Sequence, residues 1–402
     1  MKVLVADKLE QSALDGLSDL GYEVVSNPDL KEKALADALK ETQAEILIVR
    51  STKVPESVMN GSNLSLIIRA GAGYNTIDVE AASTRGTYVA NCPGKNSIAV
   101  AELAFGLMLS LDRFIPDNVA SLRDGKWNKK KFGKGKGLFG RTLGIVGLGN
   151  IGQEMIPRAQ AFGMNVVAHS RFLTPETAVG LNIGRAASLN ELAQQSDVVS
   201  VHVSARTETK GMIDRKFFEA MKDGAYFINT SRAEIVVHED LIAAVKSGKI
   251  IAGLDVFDGE PSTGEADYDG EIRDMPGIYC THHIGASTAQ AQDAVAEEAV
   301  RIVREFIFSG VVPNVVNITK GEIATHLLVV RHLDKVGVLA HVLESLREDS
   351  VNVQEMENVI LGRAKAAIAH VSLDKAPSEK ALVSIRTHSD IFDASVMPIS
   401  KD

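Results

Sequence analysis

The sequence predicts an α/β protein: a doubly wound, parallel sheet in mid-chain, a second α/β sheet before it, and a small α+β module after it. Three observations carry this. Short Val/Ile/Leu runs alternate with helical patterns over the first ninety-odd residues, and again from Leu143 to Cys280. A glycine-rich run, LGIVGLGNIG, spans Leu143–Gly152 in the middle of the chain. After Val312-Pro313-Asn314, which reads as a linker, the pattern changes to βαββαβ, the layout of a ferredoxin-like module.

In the first stretch, strands are expected at Lys2–Ala6, Glu23–Val25, Ile46–Val49, Leu66–Arg69 and Thr87–Ala90, with helices at Leu9–Leu20 and Leu30–Thr42. Strands alternating with helices mark βαβ units and a parallel sheet. A long helix, Ser97–Asp112, then leads toward the glycines. Thr142–Val146 reads as a buried strand, Gly147, Gly149 and Gly152 form G-x-G-x-x-G, and Gln153–Phe162 reads as a helix followed by the strand Asn165–Ala168. That order is the context a dinucleotide-binding fingerprint requires. Gly147 allows the tight turn, Gly149 lets backbone approach a pyrophosphate, and Gly152 lets helix pack close to strand. The phosphates would sit on the helix N-terminus, where free N–H groups and the dipole favour anions. Further strands are expected at Val198–Val203, Ala225–Asn229, Ile251–Leu254 and Gly277–Thr281. The amphipathic helix Ala286–Phe308 carries Val295, Ala299, Ile302, Val303 and Phe306 at helical spacing. It is long enough to cross back to the first sheet, so residues 1–94 and 287–316 are expected to form one domain around a nucleotide domain at 95–286. Residues 323–402 form the third domain: strands His326–Arg331, Val351–Asn358 and Ala364–Ser372, helices Gly337–Arg347 and Ser378–Ser384, and a closing strand.

Composition bounds the function. A chain of 402 residues, 45% hydrophobic and 24% charged, is ordinary for a soluble globular protein. A net charge of −9 argues against general nucleic-acid binding. No apolar run approaches a membrane span, and MKVLVADKLE enters a strand pattern without a signal-peptide core. Cys92 and Cys280 have no metal-ligand spacing and cannot make a disulfide framework, so no metal is expected and a reduced, cytoplasmic setting fits.

Three loops, each after an expected strand, carry reactive groups: Asn229–Arg232, Leu254–Pro261 and His282–Thr288. In open α/β sheets the ligand crevice lies beyond the C-terminal strand ends, so these loops should converge on the cofactor with a guanidinium, carboxylates and an imidazole. Arg232 can grip a carboxylate bidentately. A histidine can take a hydroxyl proton as hydride leaves carbon, and a carboxylate beside it would orient the ring. Both His282 and His283 stand in the loop.

The stretches Val49–Ser51, Arg69–Gly73, Pro93–Ser97 through Glu102, LGIVGLGNIG, INTSRA, LDVFDGEP and HHIGAST together resemble the D-isomer-specific 2-hydroxyacid dehydrogenases, over nearly the whole chain. The resemblance implies a Rossmann-type nucleotide domain inserted in a flavodoxin-like substrate domain, followed by an ACT domain. It implies NAD as cofactor and a D-2-hydroxy acid as substrate, a phosphorylated one such as 3-phosphoglycerate first and glyoxylate or hydroxypyruvate as the alternative. An inactive dinucleotide- or amino-acid-sensing protein is the rival of another class. By position, catalysis falls on Arg232, Glu260 and His283, the last because it directly precedes Ile-Gly-Ala-Ser-Thr. Asp255 is implied at the nicotinamide carboxamide. Further cofactor contacts are implied at Asn150, Ile151, Val203, Thr230, Ser231, Gly285 and Ala286, and substrate contacts at Arg50, Ser51, Gly73 and Asn96. A homodimer or homotetramer is implied, with the six lysines of Lys126–Lys136 around Trp127 either a solvated loop or a positive funnel for a phosphorylated substrate. In the tail, His332, Asp334 and Asn352 fall at positions where such modules hold a small molecule such as serine, although Val336 stands where the pattern has proline. The segment Gly264–Asp274 reads as a lid or a surface loop.

One position departs from the fingerprint. An acid is expected about twenty residues after the glycines, bonded to the adenine ribose hydroxyls. Here the strand ends in His169-Ser170-Arg171. Ser170 would not repel a 2′-phosphate and Arg171 could pair with one, so NAD is expected with NADP open.

Overall fold

The computed structural model describes residues 2–261, 265–319 and 324–399. It divides into two compact units, Met1–Asn317 and Ile318–Asp402.

The first unit holds two sheets. The first contains β1 (Lys2–Val5), β2 (Glu23–Ser26), β3 (Ile46–Val49), β4 (Leu66–Arg69) and β5 (Tyr88–Asn91), all parallel in the order β2-β1-β3-β4-β5. Its central strand β3 is buried at every position, because helices cover both faces of a parallel sheet. One face is covered by the helix Gln11–Asp19 together with the long helix Ala289–Ser309, whose Ala296, Ala299, Val300, Ile302 and Val303 pack on Val3, Val5, Ile46 and Ile48. Val316 then donates to Val89 O at 2.8 Å, fastening the chain to the edge of β5. Late sequence therefore completes the first sheet.

The second sheet contains β6 (Thr142–Val146), β7 (Asn165–His169), β8 (Gly184–Arg185), β9 (Val198–Val201), β10 (Ala225–Asn229), β11 (Ile250–Leu254) and β12 (Ile278–Cys280). Its order is β8-β7-β6-β9-β10-β11-β12, parallel throughout, with the topological switch between β6 and β9. Two hydrophobic clusters cover its faces.

The chain passes between the two sheets near Lys95 and again before Ala289. Lys95 Nζ lies 3.2 Å from Glu298 on the returning helix, and Arg301 and Asn314 also bond that carboxylate. Arg301 foremost, with Asn314 and Lys95, outweighs burial and pulls Glu298 down to about 2.

The second unit is an antiparallel sheet of β13 (His326–Leu333), β14 (Val353–Ile360), β15 (Ala366–Leu373) and β16 (Ile391–Pro398), in the order β14-β15-β13-β16. Helices Val338–Glu348 and Glu379–Arg386 pack over Leu328, Val330, Ala369 and Val371. This is the βαββαβ layout.

Element ends differ from expectation in physically simple ways. The helix after the glycines begins at Asn150, because Gly149 is its N-cap. β9 stops at Val201, where His202 donates to Val146 O at 2.7 Å before the chain turns away. The long helix starts at Ala289, with Thr288 Oγ1 accepting from Ala291 N. Ile284–Thr288 is therefore loop. The two-residue β8 is too short to leave a hydrophobic pattern. Of the expected lid segment, Gly264 lies outside the described residues.

Candidate active site

At the end of β6, Gly147 has φ 92° and its N–H donates to His169 O at 2.9 Å. A β-carbon there would lie 2.5 Å from Val203 and 2.8 Å from His202 O, and one on Gly152 would lie 2.2 Å from Gly147 O. Both positions require glycine. Gly149 faces open space and caps the helix without a side-chain bond. The first helical N–H groups, of Asn150, Ile151 and Gly152, therefore point outward with the positive end of the helix dipole. After β10, Thr230 Oγ1 is buried with no hydrogen-bond partner among the described residues, and Ser231 Oγ bonds Val203 O. A glycine cradle, an anion-seeking helix end and an orphaned hydroxyl fit a nicotinamide dinucleotide.

Three strand ends deliver the reactive groups. After β11, Asp255 is buried and accepts from Thr281 Oγ1 (2.6 Å), Ile284 N (2.9 Å) and Gly285 N (2.8 Å). It thus clamps the loop after β12, so any contact to a nicotinamide amide would be additional to that work. Ala286 follows in the same clamped loop. Glu260 Oε1 accepts from Phe257 N at 2.9 Å, and its Oε2 lies 2.7 Å from His283 Nδ1. An ionised carboxylate only accepts, so Nδ1 carries the proton and Nε2 is left free. Burial pushes the Glu260 carboxyl up, but the His283 bond, the Phe257 amide and nearby positive charge outweigh it and hold the group below its ordinary value. The Glu260 hydrogen bond raises His283 against the opposing pull of burial. His283 has φ 54°, in the left-handed region that histidine adopts more readily than most non-glycine residues. Among the described residues, His282 makes no such pair.

Arg232 follows β10. Its Nη1 donates to Ser231 O at 2.7 Å, and a β-carbon on Gly73 would lie 2.4 Å from its Nη2. The first sheet's loop after β4 therefore touches the second sheet's loop after β10. Arg50 and Ser51 follow β3. Asp7 accepts from the N–H groups of Arg50, Ser51 and Thr52 and from Ser51 Oγ, which holds that turn. Arg50 Nη1 reaches Gln292 at 3.3 Å. Asn96 caps the helix Ser97–Arg113 without using its side chain.

Arg69, the last residue of β4, was not among the expected site residues. Its Nε is buried without a partner among the described residues. Burial first, then the charges of Arg232 and Arg50, lower its pKa. Three guanidiniums thus share one region. The signal was an arginine closing an otherwise apolar strand, LIIR, just before Gly71 and Gly73. Asp7 and Gln292 left no comparable trace, since their roles depend on loops remote in sequence.

Comparison with known proteins agrees with this geometry. Residues 105–285 match the family described as D-isomer specific 2-hydroxyacid dehydrogenase, NAD binding domain. The D-3-phosphoglycerate dehydrogenase of Methanocaldococcus jannaschii is 36% identical over 365 residues, 89% of this chain and 67% of that protein. The chain belongs to the D-isomer-specific 2-hydroxyacid dehydrogenases. A second member, the hydroxypyruvate reductase of Thermotoga maritima, is 41% identical over 302 residues, 74% of this chain and 96% of that one. Among solved structures, NAD+-bound 3-phosphoglycerate dehydrogenase of Entamoeba histolytica superposes with a TM-score of 0.65 at 28% identity, covering 79% of this chain and 99% of the other. This chain spans about two thirds of the length of the archaeal relative. It is a dinucleotide-dependent dehydrogenase by family.

Outside this site, His332 is buried, with Nδ1 at 2.8 Å from Leu333 O and Nε2 at 3.1 Å from Asn358 Oδ1. Asp334 and Asn352 stay at least partly exposed. Among the described residues, no helix is long and apolar enough to cross a membrane, and no cluster of three metal-ligating side chains occurs.

Proposed function

We propose that this dehydrogenase oxidises a D-2-hydroxy acid carrying a phosphate, 3-phosphoglycerate, with NAD. The observation that carries the reading is the half-buried Arg69, whose Nε has no partner among the described residues and which feels the positive charges of both Arg232 and Arg50, while Asp7 is already engaged by backbone amides. Positive charge of that kind favours a multiply charged anion over a lactate-like monoanion. The hydroxypyruvate reductase relative makes the unphosphorylated acid the second reading.

When bound, NAD supplies the hydride acceptor. Asn150, Ile151 and Gly152 would hold its pyrophosphate, with Thr230, Ser231 and Val203 along its course. Arg232 holds the substrate carboxylate. His283 Nε2 takes the proton from the C2 hydroxyl, and Glu260 keeps the ring in that tautomer and stabilises the imidazolium. Arg50, Arg69, Ser51 and Asn96 receive the phosphate end. The test compares kcat/KM for oxidation of 3-phosphoglycerate, D-glycerate and D-lactate with NAD, and for reduction of glyoxylate with NADH. The phosphorylated acid is expected to lead by about 100-fold, the scale of two charge-assisted hydrogen bonds. Equal values for D-glycerate would refute the phosphate assignment.

A homo-oligomer is part of this proposal. The helix Ile115–Arg123 buries no residue of its own chain, and Ile115, Val119, Leu122 and Trp127 are exposed along this region, a pattern that calls for a covering surface. Light scattering tests it, and a monomeric mass would contradict it. A cytoplasmic location is proposed from the two free cysteines. A serine-like ligand on the C-terminal unit would be held by Asp334 and Asn352, which calorimetry with serine tests.

A further inference from the structure

The glycine turn lies between two strand ends. β7 closes on one side, with His169 O accepting from Gly147 N, and β9 closes on the other, with His202 following Val201. The residues just past β7 therefore stand where the adenine ribose of a dinucleotide on this turn must lie. In an NAD-selective site that place holds a carboxylate, which bonds both ribose hydroxyls and repels a 2′-phosphate. Here it holds Ser170. The first acidic residue after β7 is Glu176, already inside the next helix, Pro175–Gly180. Ser170 Oγ accepts from Phe172 N at 3.4 Å, which leaves its O–H to donate outward. Arg171 is exposed, with its guanidinium over the Phe172 ring at 4.9 Å, and has no ion-pair partner among the described residues. On the other flank, Arg206 is exposed in the turn after β9. Arg206 shares that turn with the exposed Glu208, so the charge that marks the rim is the one beside β7, where Ser170 and Arg171 stand and no acid occurs before Glu176.

We propose that this site admits the 2′-phosphorylated dinucleotide, NADP(H), with an affinity comparable to that for NAD(H), and that Arg171 meets the 2′-phosphate while Ser170 donates to it. The stacked guanidinium is held at the rim at small entropic cost, and an Arg–phosphate contact is among the stronger charge-assisted pairs. Loss of the acid removes the repulsion that normally enforces discrimination, so selectivity falls from both directions. The inference rests on the reading of the glycine turn as a dinucleotide site.

The test is direct binding of NADH and of NADPH to the full-length protein without substrate, read from reduced-nicotinamide fluorescence. NADPH is expected to bind within about tenfold of NADH, one decade of affinity being the scale of a single such contact. Arg171→Ala should lower the NADPH-to-NADH affinity ratio by about tenfold, and Ser170→Asp should lower it further by restoring a carboxylate. Raising the salt concentration should weaken NADPH more than NADH, since an exposed ion pair is screened. NADPH binding weaker by more than about tenfold in the unmodified protein, or an unchanged ratio in both variants, would overturn the proposal while leaving the dehydrogenase reading intact. Failure to bind either dinucleotide would overturn both.

Discussion

On the β11–β12 side of the candidate site, Glu260, His283 and Asp255 each have partners inside the protein. On the β3–β4 side, Arg69 has an unpartnered Nε among the described residues and feels the positive charges of both Arg232 and Arg50. One side is finished before any ligand arrives, and the other is left electrostatically unfinished. The difference separates two tasks. Proton transfer requires fixed geometry, which internal hydrogen bonds supply at no cost during the reaction. Binding a multiply charged anion requires uncompensated positive charge, which the ligand itself neutralises. Hydrogen bonding follows the same division: the loop just after His283 is tied to Asp255 through Ile284 N and Gly285 N, whereas Arg69 Nε has no partner among the described residues.

Breaking the finished side should produce the largest effects. His283→Asn removes the proton acceptor while keeping a side chain of similar reach, so kcat should fall by about 10²–10⁴-fold, the usual worth of a general base. Dinucleotide affinity should stay near that of the parent; activity within threefold of the parent would move the base elsewhere. Next comes the clamp. Asp255→Asn presents an amide to donors that now share a carboxylate, leaving a buried N–H or hydroxyl unmatched at about 1–3 kcal/mol. A lower melting temperature should accompany a fall in kcat of about tenfold or more as the His283 loop shifts. Asp255 is a positioning residue here, and loss of kcat without loss of stability would assign it a direct contact instead.

Breaking the unfinished side should look different. Arg69→Met removes a partly buried charge that has like-charged neighbours, so the melting temperature should hold or rise. KM for 3-phosphoglycerate should rise about tenfold or more, the scale of a lost charge-assisted contact. A melting temperature lowered together with an unchanged KM would make Arg69 a structural residue and remove the contrast.

Legibility in the sequence follows the same line. The sheets were readable because buried parallel strands leave near-continuous Val/Ile/Leu runs such as ILIV at β3, and because G-x-G-x-x-G encodes backbone requirements that no other residue satisfies. Glu260 and His283 were readable from whole motifs, His283 rather than His282 by its place directly before Ile-Gly-Ala-Ser-Thr. The 2.7 Å contact with Glu260, next to the Asp255 clamp, depends on two loops meeting and is not readable locally. Asp7, Gln292 and Arg69 were not read as site residues. Asp7 and Gln292 act across long sequence separations, bonding residues around position 50 through side chains that look like ordinary polar surface. His332 was expected at a ligand position; in the fold its ring is buried on β13 and bonds Asn358 across β15, a contact with no trace in the local sequence.

The smallest expected effect is a shift along the pH axis. His283 must be neutral to accept a proton during oxidation and protonated to return one during reduction. Its pKa is raised, chiefly by the hydrogen bond to Glu260 and also by that carboxylate's charge. Oxidation should therefore increase as pH climbs through the raised value, and the reverse reaction should fall over the same interval. Glu260→Gln keeps a hydrogen-bonding side chain but removes the charge, so the group should titrate lower and both limbs should move to more acidic pH. Because half of the His283 side chain is open to solvent, screening limits the displacement to about one unit or less. The glutamine variant should retain part of kcat at its own optimum, since the ring is still oriented by a neighbouring acceptor. A profile that stays in place, with kcat reduced uniformly, would mean that Glu260 acts through geometry alone and that the charge on the finished side has no part in setting the base.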